Sequence, residues 1–239
     1  MRTTLENLRV KIFADGADLR EMLEMHAKPY IKGLTTNPTH MRKAGVANYK
    51  AFAQEVLARI RDKPVSFEVF SDEFPDMERQ ALEIASWGDN VYVKIPVTNT
   101  QGNTSYALVH RLASRGVKVN VTAIMTLTQV RNAVAALNPE VPSYVSVLAG
   151  RVADTGVDPV PLMASAVCLL ETNPRAELIW ASPRELLNVL HAESVGCQVV
   201  TATGELLRKL PLLGRDLEEY SLDTVKMFYD DAAAAGFTL

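Results

Sequence analysis

Short runs of β-branched and apolar residues alternate along the chain with longer stretches whose apolar positions recur every three or four residues. The short runs are VKIFAD (10–15), KGLTTN (32–37), VSFEVF (65–70), NVYVKIP (90–96), KVNVTAI (118–124), YVSVLAG (144–150), ELIWAS (177–182) and QVVTAT (198–203). Their composition and length read as strands. The longer stretches, such as ANYKAFAQEVLARIR, SYALVHRLASRG and VPLMASAVCLLETN, read as amphipathic helices. Strand–helix alternation predicts a parallel sheet with crossover helices. Eight such repeats predict closure into a (β/α)8 TIM barrel rather than an open doubly wound sheet, and no Gly-rich dinucleotide fingerprint follows the first strand. No linker or low-complexity segment divides residues 1–239, which read as one domain, and the tail within 217–239, LEEYSLDTVKMFYDDAAAAGF, predicts an extra helix.

Successive side chains of a strand face opposite ways, so each run sorts into two sets. Ile12 and Ala14 oppose Phe13 and Asp15, and Phe67 and Val69 oppose Ser66 and Glu68. Val91, Val93 and Ile95 oppose Tyr92 and Lys94, while Val119, Val121 and Ala123 oppose Asn120 and Thr122. Val145 and Val147 oppose Tyr144 and Ser146, and Ile179 and Ala181 oppose Trp180 and Ser182. If the apolar set packs on the helices, Asp15, Asn37, Glu68, Lys94, Asn120, Thr122, Ser146 and Ser182 line one interior. They fall near the C-terminal strand ends, where barrel active sites are built.

Burying a lone ammonium or carboxylate costs several kcal/mol, so Lys94 and Glu68 need a reason to be inside. Desolvation favours the neutral amine of a lysine, which can attack a ketone to form a Schiff base. The imine then accepts the electron pair of a breaking carbon–carbon bond. A carboxylic acid moves protons as the imine forms, and hydroxyls and amides such as Thr122, Asn37 and Asn120 suit water and sugar hydroxyls. The inventory is that of class I aldolase chemistry. Plainer readings stand beside it: Lys94 as a structural partner of Glu68 or Asp15, and Asp15 as the N-cap of a helix from Ala17. Asn37-Pro38 reads equally as a turn before a helix, and Arg151 and Arg184 as surface salt-bridge formers.

Composition narrows the function classes. The chain is 48% apolar and 22% charged with a net charge of −3, so no bulk basic field would attract nucleic acid or a membrane. The start, MRTTLENLRVKIFAD, holds no apolar segment of signal-peptide length, and no window is apolar enough to cross a bilayer. Cys168 and Cys197 lack metal-like spacing and suit a reducing, cytoplasmic setting. Among the histidines, His26, His110 and His191 fall in helical patterns; His40 follows the TTNPT loop, near enough to Asn37 to face the pocket, and reads rather as a solvated loop residue. None pairs at ligand spacing, which argues against a metal site and a zinc-dependent aldolase. No cofactor is called for.

The segments IFADGAD, GLTTNPT, VSFEVF, VYVKIPVT, VNVTAI, YVSVLAGR and WASPR, in this order, resemble transaldolases, in particular the short subfamily that includes fructose-6-phosphate aldolases. The resemblance implies that Lys94 is the Schiff-base lysine and Asp15 the acid/base for the hydroxyl next to the cleaved bond. It implies that Glu68 with Thr122 holds the catalytic water, and that Asn37, Asn120 and Ser146 bind the dihydroxyacetone portion. Thr35 and Thr36 would shape their loop, and Arg151 and Arg184 would grip a phosphate through the guanidinium fork; strand parity, not the resemblance, adds Ser182 to the binding site. Glu68 is the transaldolase choice, where the aldolases carry glutamine. Leu148 stands where transaldolases tend to have phenylalanine and the aldolases tyrosine, and WASPR departs from the more usual SFR or SFK. The implied reaction moves a dihydroxyacetone unit from sedoheptulose 7-phosphate or fructose 6-phosphate to an aldose phosphate. The alternatives are release of free dihydroxyacetone, and a silent barrel that only binds sugar phosphates. The tail resembles a helix that embraces a neighbouring subunit in pentameric and decameric rings, which implies a homo-oligomer.

Overall fold

The computed structural model describes residues 5–238, so the last residue of the tail, 239, lies outside the described residues. Its first half runs β1 (Lys11–Asp15), α1 (Leu19–His26), β2 (Ile31–Thr35), α2 (Pro38–Lys43), α3 (Tyr49–Arg59), β3 (Val65–Glu68), α4 (Phe74–Ala85), β4 (Val91–Pro96) and α5 (Tyr106–Ser114). The second half runs β5 (Val119–Ile124), α6 (Leu127–Ala136), β6 (Ser143–Val147), α7 (Ala149–Asp154), α8 (Val160–Leu170), β7 (Ala176–Trp180), α9 (Leu187–Ser194), β8 (Val199–Thr203), α10 (Gly204–Leu207) and α11 (Leu217–Ala235). All neighbouring strands pair in parallel, and β8 returns to β1, closing the barrel. The expected fold and the extra C-terminal helix are both present.

Two apolar cores share the strands. Outside, residues such as Ile12, Leu34, Phe67, Val93, Val121 and Val145 pack under the helices, where Met77, Leu108, Val130 and Met163 meet them. Met22, Met25, Met41 and Met77, read from the sequence as packing residues, are buried in this layer. Inside, Phe13, Tyr144, Ile179, Ala181 and Val199 form a second cluster with Tyr92 and Leu148. Rings from opposite sides of the barrel meet there: Phe13 is edge-on to Tyr144 at 5.6 Å, and Tyr144 lies 4.4 Å from Tyr92. Gly33 makes room for this plug, since a Cβ there would come within 2.5 Å of the Phe13 ring. The plug fills the lower lumen, so the polar groups above it face the C-terminal mouth only.

The sixth run was read too long. β6 stops at Val147, and Leu148 caps α7, so residues 149–150 are helical. α11 buries none of its side chains, and Leu217, Leu222, Val225, Met227, Phe228 and Tyr229 lie exposed along it. Among the described residues no helix is long and apolar enough to cross a membrane.

Candidate active site

The barrel register decides which charges meet. Glu68 and Lys94 are partners across the β3–β4 ladder, and Lys94 is level with Asn120 on β5. Inward-facing partners on adjacent strands stand side by side, so the Lys94 ammonium reaches Glu68 Oε2 at 3.1 Å. It also donates to the Thr36 carbonyl at 3.3 Å. Lys94 is only 9% exposed. Its amine opens onto a cavity of about 510 Å³ at the C-terminal mouth, which Asp15, Asn37, Glu68, Thr122 and Ser182 also line.

Asp15 ends β1 across this cavity. It is not a helix cap: α1 starts later, with Asp18 as its N-cap. Thr35 Oγ1 lies 2.8 Å from Asp15 Oδ1 and 2.6 Å from Thr201 Oγ1. A carboxylate can only accept, so Thr35 spends its single proton on Asp15 and Thr201 must donate to Thr35. The second carboxylate oxygen, Oδ2, meets His40 Nε2 at 3.0 Å. His40 is therefore not the solvated loop residue its position suggested. It sits on α2 and faces the cavity, because Asn37 caps that helix and accepts from the His40 amide at 3.0 Å. Burial pushes the Asp15 carboxyl up, but the His40 hydrogen bond, the Lys94 charge and Thr35 together hold it below the usual carboxylate range.

Beside Lys94 lies a closed polar layer. Asn120 donates to Ser66 Oγ at 3.1 Å and accepts from Ser146 Oγ at 2.7 Å, and all three are buried. Asn120 and Ser146 thus bond to each other rather than facing open space. Thr35 and Thr36 are likewise fully buried behind the cavity. Thr122 reaches the cavity wall beside Ala123, where the β5–β6 register slips and Ala123 adopts a positive φ of 61°.

The seventh strand departs from the expected parity. Ile179 and Ala181 face the lumen, and Trp180 faces out against His191 of α9 at 6.1 Å. The large indole fits the helix layer, while the small Ala181 fits the crowded lumen. Ser182 still lines the cavity, because the strand has ended and its φ of 56° turns the chain. This turn presses on α7: a Cβ at Gly150 would lie 1.6 Å from the Ser182 carbonyl oxygen. We expect Gly150→Ala to cost on the order of 3 kcal/mol, since two backbones must separate. Urea unfolding reads this as a lower midpoint; an unchanged midpoint would mean the junction absorbs a methyl freely.

Cations ring the outer part of the cavity. Arg151 on α7 lines it and makes no ion pair among the described residues. Arg184 lines it too, but its guanidinium forks onto Asp154, with Nε 3.0 Å from Oδ1 and a close Nη2–Oδ2 contact. Lys43, at the end of α2, is a third cation there that the sequence did not single out. A larger cavity of about 720 Å³ opens at the opposite mouth, between Lys11, Lys63, Lys118 and Arg175. Two of the charges lining it are paired, Lys11 with Glu177 and Asp62 with His26. Among the described residues no three His, Cys, Asp or Glu side chains gather as metal ligands.

Comparison with known proteins bears on this site. The family described as Transaldolase/Fructose-6-phosphate aldolase matches residues 12–239. A protein named "Probable transaldolase 2" from Listeria monocytogenes serovar 1/2a (strain ATCC BAA-679 / EGD-e) is 33% identical over 218 residues, covering 90% of this chain and 95% of its own. A "Probable transaldolase" from Dehalococcoides mccartyi (strain ATCC BAA-2266 / KCTC 15142 / 195) is 30% identical over 219 residues, covering 90% and 97%. One of the same name from Methanococcus maripaludis (strain C7 / ATCC BAA-1331) is 31% identical over 218 residues, again covering 90% and 97%.

Proposed function

This chain belongs to the transaldolase/fructose-6-phosphate aldolase family, and from that premise we propose that it is a transferase moving a dihydroxyacetone unit between sugar phosphates through a Schiff base on Lys94. The observation that carries the reading is the Lys94–Glu68 pair, 3.1 Å apart at the C-terminal mouth of the barrel. A buried amine beside a carboxylate that can take its proton is what condensation with a ketone requires.

In this reading the neutral Lys94 amine attacks the ketose carbonyl, and Glu68 with Thr122 moves the protons that turn the carbinolamine into an iminium and water. Asp15 then takes the proton of the hydroxyl beside the bond to be broken. That oxygen's electron pair forms the aldehyde, and the pair of the breaking bond moves into the iminium to give an enamine. Addition of an acceptor aldehyde reverses these steps, with Asp15 returning its proton to the new alkoxide. Water finally attacks the iminium and frees Lys94. Asn37, Asn120 and Ser146 hold the dihydroxyacetone hydroxyls, which would open the Asn120–Ser146 bond or add to it. Arg151, with Arg184 and Lys43 nearby, holds the phosphate. Arg184 is the weaker ligand because it would have to leave or share Asp154.

Glu68 supports transfer rather than release of free dihydroxyacetone, since the aldolase relatives are expected to carry glutamine there. Product analysis with fructose 6-phosphate, with and without erythrose 4-phosphate, checks this. Turnover is expected only when the acceptor is present. Free dihydroxyacetone formed at full rate without it would assign the chain to the releasing branch. The exposed apolar side chains of α11 support assembly into a homo-oligomer; a monomer by light scattering would remove that part of the reading.

A further inference from the structure

Asp15 carries the proton of the bond-breaking step, so whatever fixes its carboxylate controls that step. Both oxygens are held. Thr35 donates to Oδ1 and is itself held by Thr201, while His40 Nε2 meets Oδ2 at 3.0 Å. The imidazole is not there by accident of a loose loop. The Asn37 side chain caps α2 through the His40 amide and sets the first turn, which aims the ring into the cavity. Its side chain is 24% exposed and that of Asp15 16%, and both line the cavity.

We propose that His40 is a positioning residue for this chemistry: its Nε2–H locks the Asp15 carboxylate in the orientation from which it takes and returns the donor hydroxyl proton. The inference rests on the proposed Schiff-base reaction. A carboxylate has about four acceptor directions, and two of them are taken by Thr35 and His40. Those left over are the ones able to meet a substrate hydroxyl. A donor at Oδ2 also favours the ionised carboxylate, the state needed before bond cleavage. The other charged groups sharing the cavity are Lys94 on β4, Glu68 on β3, Lys43 on α2, Arg151 on α7 and Arg184 beyond β7. None of these makes a hydrogen bond to Asp15 among the described residues, so His40 has no understudy.

The test compares His40→Leu, which removes the donor, with His40→Gln, whose amide nitrogen reaches about as far as the imidazole Nε2. Borohydride trapping with fructose 6-phosphate measures imine formation, which does not pass through Asp15. If wild-type protein is not trapped, the Schiff-base reading itself fails, and this inference falls with it. With trapping intact, we expect His40→Leu to be trapped at the wild-type rate while kcat drops roughly tenfold to a hundredfold. The acid limb of its pH profile should move up by about one pH unit, as expected for the loss of one hydrogen bond to a charged group. His40→Gln should recover most of both changes. Wild-type turnover and an unmoved limb in His40→Leu would overturn the proposal. So would trapping that falls in step with turnover, or a glutamine variant as impaired as the leucine one.

Discussion

Replacing Lys94 with methionine is expected to leave the barrel folded and to lower kcat by roughly 10⁴-fold or more. Methionine nearly matches the lysine stem in volume and suits an irregular buried site. The substitution removes one ion pair to Glu68 and one bond to the Thr36 carbonyl. Glu68 is partly open to the cavity and can be solvated, so folding should survive the loss. What cannot be replaced is the amine, because no other lysine lies within reach of Glu68 or Asp15 among the described residues. Lys43 lines the same cavity but pairs with neither carboxylate among the described residues. Steady-state kinetics together with circular dichroism check the expectation. A folded variant with near-normal turnover would refute the role of Lys94.

Glu68→Gln is expected to have the second-largest effect, slowing imine formation about a hundredfold. Glutamine keeps the shape of the side chain and can still accept from Lys94 Nζ, but it cannot exchange a proton at each step of dehydration and hydrolysis. Glutamine is also what the dihydroxyacetone-releasing relatives are expected to carry here, so protonation of the enamine should compete better with acceptor addition in this variant. We therefore expect a larger share of free dihydroxyacetone relative to transfer product. Single-turnover trapping gives the first quantity and product ratios give the second. An unchanged ratio would count against Glu68 as the group that divides the two outcomes.

Much of this site was legible from alternation alone. β3, β4 and β5 are regular where Glu68, Lys94 and Asn120 sit, and a regular strand keeps its period of two. The ladder then brings Glu68 and Lys94 together without help from any loop. Alternation failed where regularity ends. On β7 the sequence gives apolar residues on both faces, so polarity could not tell lumen from helix layer; size decided it, with Trp180 outside and Ala181 inside. Ser182 reached the cavity through a left-handed turn that period-two counting does not contain. β6 ended three residues before the run read as a strand did.

The rim was harder to read. His40 belongs to a six-residue helix too short to announce itself by periodicity, and its partner Asp15 is 25 positions away. The Asn37-Pro38 turn was a usable signal: Asn as N-cap followed by Pro at the first helical position starts a helix. That helix places residue 40 one turn in, on the side of the cap. Arg184 was expected to face an anion and is engaged by Asp154, a pairing across 30 residues that no local motif encodes. Thr201 behaves similarly, since its role is visible only once β8 has closed the barrel beside β1.

The central claim is a covalent one, and hydride trapping tests it most directly. Protein incubated with fructose 6-phosphate and sodium borohydride should gain the mass of one reduced ketose-derived adduct per chain, and peptide mapping should place it on Lys94. Protein that stays unmodified, or carries the adduct on Lys43 or another lysine, would contradict the account.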